Sequence, residues 1–327
     1  MPNPFFSIIV PSYNQGQFLE RCLKSIINQK IKDIEIIVID GGSSDNSVDV
    51  IKKYESYLKY WVSEPDSGQS DAINKGLSQC NGQIINWLPC DDYLEHGSLN
   101  RIQKIFNNKN IDIYCGSARI LENGNVITYK ITARYSYSWP FTIVFGQIVQ
   151  PATFWKREVF IEVTPLIEDL HYIMDGYIWM KYIVKYGFDR IYYDPSVVVA
   201  NIDLQPDAKS VKYLPKFLND WNYIMKTLHL SCAGVNSNDF FEVKIPEICS
   251  ELNMIDFYNS ANQLFVRSFK SKKIGIRYSA LFKLLIFHFI PLLKFYFYKK
   301  RYFAYLRHSA ELENLFEKPK DTDETLQ

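Results

Sequence analysis

The first 115 residues alternate short apolar runs with longer amphipathic stretches. The apolar runs have the length and β-branched composition of buried strands, and the amphipathic stretches repeat apolar residues with helical spacing. The predicted strands are Phe6–Pro11, Glu35–Asp40, Tyr60–Ser63, Gln83–Leu88 and Ile111–Gly116, and the predicted helices are Gln17–Asn28, Ser47–Glu55, Gln69–Cys80 and Gly97–Asn107. Strands that alternate with helices predict an α/β domain, in which helices flank a mainly parallel sheet.

The pattern becomes less regular after residue 116. Residues 117–205 end in a predicted helix, Met174–Lys185, and a predicted strand, Arg190–Val199. Beyond Asp207 the pattern is mostly helical, with prolines as breaks. The sequence therefore predicts an α/β domain of residues 1–205 and a helical C-terminal extension of residues 206–327.

Polar residues follow each of the first four predicted strands, where ligands bind in parallel α/β sheets. The four segments are residues 11–14, 40–45, 64–68 and 90–92. The adjacent carboxylates of Asp91 and Asp92 repel each other unless a cation neutralises them, and hard oxygen ligands suit Mg²⁺ or Mn²⁺ on a diphosphate. A solvated acidic turn is the alternative for this pair. Asp40 either accepts hydrogen bonds from a base or ribose or caps its own turn.

Six stretches of the chain resemble, in order, the family 2 glycosyltransferases of GT-A fold, in particular those of bacterial cell-surface polysaccharide biosynthesis. They are SIIVPSYNQGQFLERCLKSIINQ (7–29), IIVIDGGSSDNSVDVI (36–51), SEPDSGQSDAINKGL (63–77), NGQIINWLPCDDYLEHGSL (81–99), QPATFWKREVF (150–160) and HYIMDGYIWMKYIVKYG (171–187). This resemblance implies a Rossmann-like GT-A fold and a glycosyltransferase that uses a nucleotide-sugar donor, usually a UDP-sugar.

The resemblance also implies roles for individual residues at the nucleotide. Those that frame the nucleotide, its base, ribose and phosphates are Pro11, Tyr13, Asn14, Asp40, Gly68, Asp71, Lys75 and Asp91. Asp92 matches the residue that holds a divalent metal, Mn²⁺ or Mg²⁺, on the diphosphate. Such a cation neutralises the charge that grows on the leaving group.

Asp175 matches the family's catalytic base, which opens a helix and takes the proton of the acceptor hydroxyl. A single displacement at the anomeric carbon then inverts its configuration. From the residues alone, an aspartate at this position is more simply a helix cap. The sequence therefore leaves a catalytic and a structural role open for Asp175.

Two positions depart from the family pattern. Cys90 stands where relatives often have an acidic or small polar residue, and a thiolate is too soft a ligand for Mg²⁺ or Mn²⁺. Gln205 stands near the place where relatives usually carry a histidine. A subunit that binds nucleotide sugars without catalysis is therefore the alternative interpretation. A dinucleotide-dependent oxidoreductase is excluded because the first strand is not followed by Gly-x-Gly-x-x-Gly.

The C-terminal extension is strongly basic. No acidic residue lies between Asp256 and Glu311, whereas eleven lysines and arginines do, so the rest of the chain holds 26 basic and 36 acidic residues. The segment at about 267–307 mixes these charges with aromatic residues, which is typical of peripheral contact with an anionic membrane surface. A helical hairpin packed on the catalytic domain is the alternative. Membrane contact predicts a cytoplasmic protein on the inner face of the cell membrane, with a polyprenyl-linked saccharide acceptor.

Other sequence features narrow the class of protein. The six cysteines show no Cys-x-x-Cys pair, which predicts reduced thiols and no structural zinc. The N-terminus lacks the pattern of a cleaved secretion signal. No nucleic-acid recognition motif accompanies the basic segment, so nucleic acid is not an expected partner. The sequence indicates no particular oligomeric state.

Overall fold

The computed structural model describes residues 3–122, 124–132 and 148–204, together with a few residues between 220 and 242. The chain divides into two compact units, Met1–Leu252 and Asn253–Gln327. The described residues all lie in the first unit, and the predicted boundary between residues 205 and 206 falls inside it. The basic segment at about 267–307, with the membrane contact predicted for it, lies outside the described residues.

The predicted alternation of strands and helices is confirmed over the N-terminal part. The strands are β1 (Phe6–Ser12), β2 (Ile34–Asp40), β3 (Tyr60–Ser63), β4 (Ile84–Trp87), β5 (Tyr93–Leu94), β6 (Ile113–Glu122), β7 (Asn125–Thr132), β8 (Thr153–Lys156) and β9 (Ile191–Leu204). The helices are α1 (Gly16–Ile27), α2 (Ser47–Tyr54), α3 (Gln69–Ser78), α4 (Ser98–Asn108), α5 (Arg157–Val163) and α6 (Met174–Tyr186). Short 3-10 helices cover Glu55–Tyr57 and Gln150–Ala152. The described residues between 220 and 232 are helical.

The strands form one sheet in the order β3-β2-β1-β4-β8-β6-β9-β5, with β7 paired to β6. β3, β2, β1 and β4 are parallel, as predicted. β8 then enters between β4 and β6 and is antiparallel to both, with Trp155 opposite Ile85 on one side and Ile113 on the other. The second half of the sheet therefore mixes parallel and antiparallel pairs. Helices on the first half leave the carboxyl ends of four parallel strands at one edge.

The core lies around β1, whose seven residues are all buried. α3 packs closely on β1, since Gly76 of α3 has no side chain. A Cβ atom at this position would lie 2.5 Å from the Ile9 Cγ2. On the other half of the sheet an aromatic cluster holds α6 against β8. There the ring centroids of Trp155 and Trp179 are 6.4 Å apart in an edge-to-face arrangement.

The cysteines test the prediction of reduced thiols. Cys22, Cys80, Cys90 and Cys115 are free and buried, but Cys232 is disulfide-bonded. The prediction of reduced thiols is therefore wrong for Cys232, because the absence of a Cys-x-x-Cys pair does not exclude a disulfide. No helix within the described ranges is long and apolar enough to cross a membrane.

Candidate active site

The segments that follow β1, β2, β3 and β4 lie side by side at one edge of the sheet. The strand register places Ser12 beside Asp40 and Asp40 beside Ser63, and β4 runs along the other side of β1. The residues predicted to frame the nucleotide all lie on these strand ends or on α3, which follows β3. Sequence positions up to 80 residues apart are thus brought to one edge, which is the arrangement that a ligand site requires.

Asp40 is fully buried at the end of β2. Its carboxylate accepts hydrogen bonds from the Ser43 N–H at 2.9 Å, the Ser43 hydroxyl at 2.5 Å and the Ser63 hydroxyl at 2.6 Å. These contacts fasten the loop after β2 to the end of β3. They match the structural alternative of a turn held by its own aspartate, and contact between Asp40 and a base stays a prediction.

Asn14 joins the loops that follow β1 and β2. Its φ is +51°, a left-handed conformation that asparagine tolerates. Its N–H donates to the Ser43 hydroxyl and its Oδ1 accepts from the Ser44 N–H, both at 2.8 Å. The neighbouring Tyr13 side chain is 62% exposed, whereas Pro11 is buried within β1. An open aromatic ring at this edge is suited to stacking on a planar base.

The start of α3 carries a second group of predicted residues. Gly68 precedes the helix with a φ of +115°, which favours glycine. Asp71 accepts a hydrogen bond from the Ser67 N–H at 3.0 Å, and its carboxylate lies 3.4 Å from the Lys75 ammonium. Lys75 also pairs with Glu64 at 3.1 Å. These contacts order the loop after β3 and place a positive charge beside it.

Asp91 and Asp92 form the acidic turn after β4. Asp92 is buried, and its Oδ1 accepts a hydrogen bond from the Asp203 N–H of β9 at 3.3 Å. Burial, and next the charge of Asp91, hold the pKa of Asp92 well above its ordinary value. Burial also raises the pKa of Asp91, although Asp91 is the more accessible of the two. Burial and mutual repulsion disfavour the ionised forms of these two carboxyls, and a nearby cation stabilises those forms.

Arg21 of α1 is the positive charge that faces this turn. Its Nη2 donates to the Asp91 carbonyl oxygen at 2.9 Å and lies 2.7 Å from the Asp203 Oδ2. Cys90 is buried and its thiol donates to the Gln15 Oε1 at 2.8 Å. Burial raises the pKa of the Cys90 thiol, so the sulfur stays protonated and serves as a hydrogen-bond donor.

The oxygen ligands at the turn fit a hard divalent cation. Within the described part of the chain, no group of three or more His, Cys, Asp or Glu side chains could hold a metal by itself. Two carboxylates are the number that Mg²⁺ commonly takes from a protein when substrate phosphates and water complete its coordination. Asp92, the predicted ligand, is buried beside β9, and Asp91 is the more accessible carboxyl of the two. Metal binding by Asp92 stays a prediction.

Asp175 lies in the first turn of α6. Ile173 occupies the N-cap position and makes no capping hydrogen bond through its side chain, so Asp175 is the second residue of the helix. Its Oδ1 accepts the Gly176 N–H at 2.9 Å, and burial raises its pKa. The adjacent Met174 sulfur accepts a hydrogen bond from the Ser70 hydroxyl of α3 at 3.2 Å. This contact links the start of α6 to the helix that begins at the strand-end edge.

Several residues at this edge were not identified from the sequence. They are Gln15, Arg21, Ser43, Ser63 and Asp203. Arg21 has the position of an ordinary solvated charge on an amphipathic helix. Asp203 lies beyond the predicted end of its strand at Val199, because β9 continues to Leu204. Gln205, the second departure from the family pattern, lies outside the described residues.

Comparisons with known proteins support the resemblance. The profile of Glycosyl transferase family 2 matches residues 7–160. An uncharacterised glycosyltransferase of Rickettsia typhi is 26% identical over 243 residues, which cover 69% of this chain and 73% of that protein. The GalNAc(5)-diNAcBac-PP-undecaprenol beta-1,3-glucosyltransferase of Campylobacter jejuni is 35% identical over 127 residues, 38% of this chain and 41% of that protein.

A solved structure shows the same fold. TarS 1-349 of S. aureus in complex with UDP-GlcNAc superposes with a TM-score of 0.55 at 16% identity, covering 85% of this chain and 79% of that chain. Likeness at this identity concerns the fold alone. The matched profile places residues 7–160 in glycosyl transferase family 2, and the relatives and the sheet with its four parallel strand ends agree with the GT-A fold.

Proposed function

We propose that this chain is an inverting, metal-assisted glycosyltransferase that moves a sugar from a UDP-sugar to a saccharide acceptor. The observation that carries the proposal is the convergence of four strand-end segments, one of which is the acidic turn, on one edge of the sheet. The half-buried carboxyl of Asp175 at the start of α6 is linked to that edge through Met174 and Ser70. The UDP-GlcNAc complex of the structurally similar TarS supports a uridine nucleotide as donor. The family supports a nucleotide-sugar donor in general.

In this proposal the donor lies across the carboxyl ends of β1 to β4. Tyr13 stacks on the base, the Asp40 loop borders the base and ribose, and Lys75 of α3 attracts the phosphates. Asp91, with Asp92 behind it, holds Mn²⁺ or Mg²⁺ against the diphosphate. When bound, the cation neutralises the negative charge that develops on the leaving nucleoside diphosphate.

Asp175 then serves as the general base. The acceptor hydroxyl oxygen attacks the anomeric carbon from the face opposite the diphosphate, and its proton passes to the Asp175 carboxylate. The bond between the anomeric carbon and the phosphate oxygen breaks, and the nucleoside diphosphate leaves with that electron pair. One displacement inverts the configuration. A carboxyl whose pKa burial raises is a stronger base than an exposed one.

The acceptor is proposed to be a polyprenyl-linked saccharide in surface polysaccharide biosynthesis. The name of the Campylobacter jejuni relative describes a glucosyltransferase that acts on an undecaprenol-linked oligosaccharide. The basic aromatic segment at 267–307 supports a place on the inner face of the cell membrane. Removal of the residues after 265 should then release the protein from anionic vesicles, and unchanged binding to those vesicles would exclude this contact.

A donor screen tests the function. We expect thermal unfolding to shift upward with UDP and UDP-sugars in the presence of manganese, and less with GDP or ADP. The stabilising sugar nucleotide is then incubated with lipid-linked and free saccharides, and UDP release and product configuration are measured. Binding without hydrolysis or transfer would support the alternative of a nucleotide-sugar-binding subunit. No response to any sugar nucleotide would exclude both the glycosyltransferase and the nucleotide-sugar-binding subunit.

A further inference from the structure

We propose that Arg21 is a positioning residue of the donor site, which holds the acidic turn and the end of β9 in the arrangement that accepts the metal and diphosphate. This inference rests on the proposed function. Arg21 lies on α1, outside the acidic turn, and would act through Asp91 and Asp203 without touching the donor. Its contacts with both sides of the turn carry the argument.

The guanidinium bridges two chain segments that are far apart in sequence. The same Nη2 donates to the Asp91 carbonyl oxygen at 2.9 Å and pairs with the Asp203 carboxylate at 2.7 Å. Asp203 in turn donates its N–H to the Asp92 Oδ1. α1, the acidic turn and the end of β9 are thus joined in a closed set of contacts. Loss of the guanidinium would leave the turn attached to β9 by the Asp203 N–H contact and by the pairing of β5, the strand that follows the turn, with β9.

Aromatic rings fix the guanidinium in this place. Its central carbon lies 4.5 Å from the Tyr93 ring centroid and 5.8 Å from the Phe18 ring centroid, distances at which a cation is attracted to a ring face. The Arg21 Nε is buried and has no hydrogen-bond acceptor among the described residues. The ring contacts and the two Nη2 contacts therefore determine the orientation of the side chain.

Charge explains why a cation belongs here. Asp91, Asp92 and Asp203 carry three negative charges when ionised, and among the described residues Arg21 offsets one of them. A single divalent cation matches the remaining two. Without Arg21, Asp203 would be a nearly buried carboxylate, with its side chain 5% exposed, beside two others. Repulsion would then separate the end of β9 from the turn.

The chain offers a matched control for this ion pair. Arg101 of α4 pairs with Asp194 at 2.9 Å, and Asp194 also belongs to β9. The exposures of the two pairs are close, 37% and 5% for Arg21 and Asp203 against 48% and 6% for Arg101 and Asp194. Arg101 donates its hydrogen bonds to Asp194 and makes none to the acidic turn. Its removal should therefore reproduce the loss of an ion pair on β9 without disturbing the donor site.

The experiment compares Arg21→Gln, Arg21→Lys and Arg101→Gln in the full chain. Isothermal titration calorimetry measures the Kd of UDP in the presence of manganese. Electron paramagnetic resonance of Mn²⁺ measures binding of the metal alone. Each variant is studied at temperatures at which circular dichroism shows that it is folded. We expect Arg21→Gln to weaken both by roughly 10- to 100-fold, the range for groups that support metal ligands. Arg21→Lys should recover part of the affinity, and Arg101→Gln should stay within twofold of wild type.

If Arg21→Gln does not fold, the double variant Arg21→Gln with Asp203→Asn, which also removes the charge of Asp203, replaces it in the experiment, with the same expected weakening. Wild-type affinity in the folded Arg21 variants would overturn the inference and leave the proposed function intact. Equal losses in Arg101→Gln would overturn it too, because the effect would then come from β9 in general. A wild-type protein that binds neither UDP nor manganese would overturn the donor site and this inference together.

Discussion

Replacing Asp175 with asparagine should abolish sugar transfer while leaving the fold at least as stable at neutral pH. Asparagine keeps the shape of the side chain and an oxygen that accepts the Gly176 N–H, but it does not take up the proton of the acceptor hydroxyl. Loss of a general base costs roughly 100- to 10,000-fold in rate, or about 2.7–5.5 kcal/mol of activation free energy. Binding of UDP should be nearly unchanged.

The sign of the stability effect follows from the raised pKa of Asp175, which burial causes. A carboxyl whose pKa is higher in the folded chain than in the unfolded chain contributes to stability. This contribution is complete when the pH is below the unfolded pKa, ~3.9. That contribution is lost as the pH rises through the folded pKa. At pH 7 the wild-type fold carries the cost of a buried charge, about 1.4 kcal/mol per unit of pKa difference. The asparagine variant does not carry this cost.

Urea unfolding between pH 4.5 and pH 7 and a UDP-release assay test both halves of this prediction. The stability advantage of the variant should be largest at pH 7 and shrink as the pH falls, and wild-type activity should fall as the pH drops through the raised pKa. Asp169→Asn changes an exposed carboxyl of the preceding segment and should alter neither property. Transfer within threefold of wild type, or a variant less stable than wild type at pH 7, would refute the reasoning.

Three further predictions concern the scaffold of the site. Asp40→Ala should lower the free energy of unfolding by about 3–5 kcal/mol, because Ser43 and Ser63 lose a charged acceptor; a loss below 1 kcal/mol in urea would contradict this. Gly76→Ala should cost about 1–3 kcal/mol through its clash with Ile9, and an unchanged unfolding midpoint would be the opposite result. Cys90, buried with a raised thiol pKa, should react with thiol reagents only on unfolding; rapid labelling of the native protein would count against its burial.

Local pattern was enough to predict the first half of the fold and, in the second half, α6. β3 has its predicted bounds, Tyr60–Ser63, and α6 extends one residue beyond its predicted end at Lys185, because alternation and helical spacing are properties of each segment alone. The insertion of β8 between β4 and β6 was not predicted, since the pairing of distant strands leaves no mark in either strand. For the same reason the full length of β9 was missed.

The candidate site divides in the same way. The segment that begins at Asp40 and the segment that ends at Asp92 were found because polar residues follow apolar strands, and the structure brings both segments to one edge. The hydrogen bonds that hold them could not be found, because Ser43 and Ser63 are common turn residues. The contact between Arg21 and Asp203 spans 182 positions of sequence, and neither residue has a local pattern that distinguishes it.

The aromatic cluster on α6 has a consequence for any reaction at Asp175. Trp179 follows Asp175 by four residues, so the two side chains project from the same face of the helix. Trp179 packs edge to face on Trp155 of β8 and stacks with Tyr182 at 6.5 Å. Rotation of α6 about its axis would break these ring contacts before it could redirect the carboxyl. Substitutions that shrink the indole, such as Trp179→Leu, would therefore misalign proton removal from a distance and slow turnover without touching any substrate.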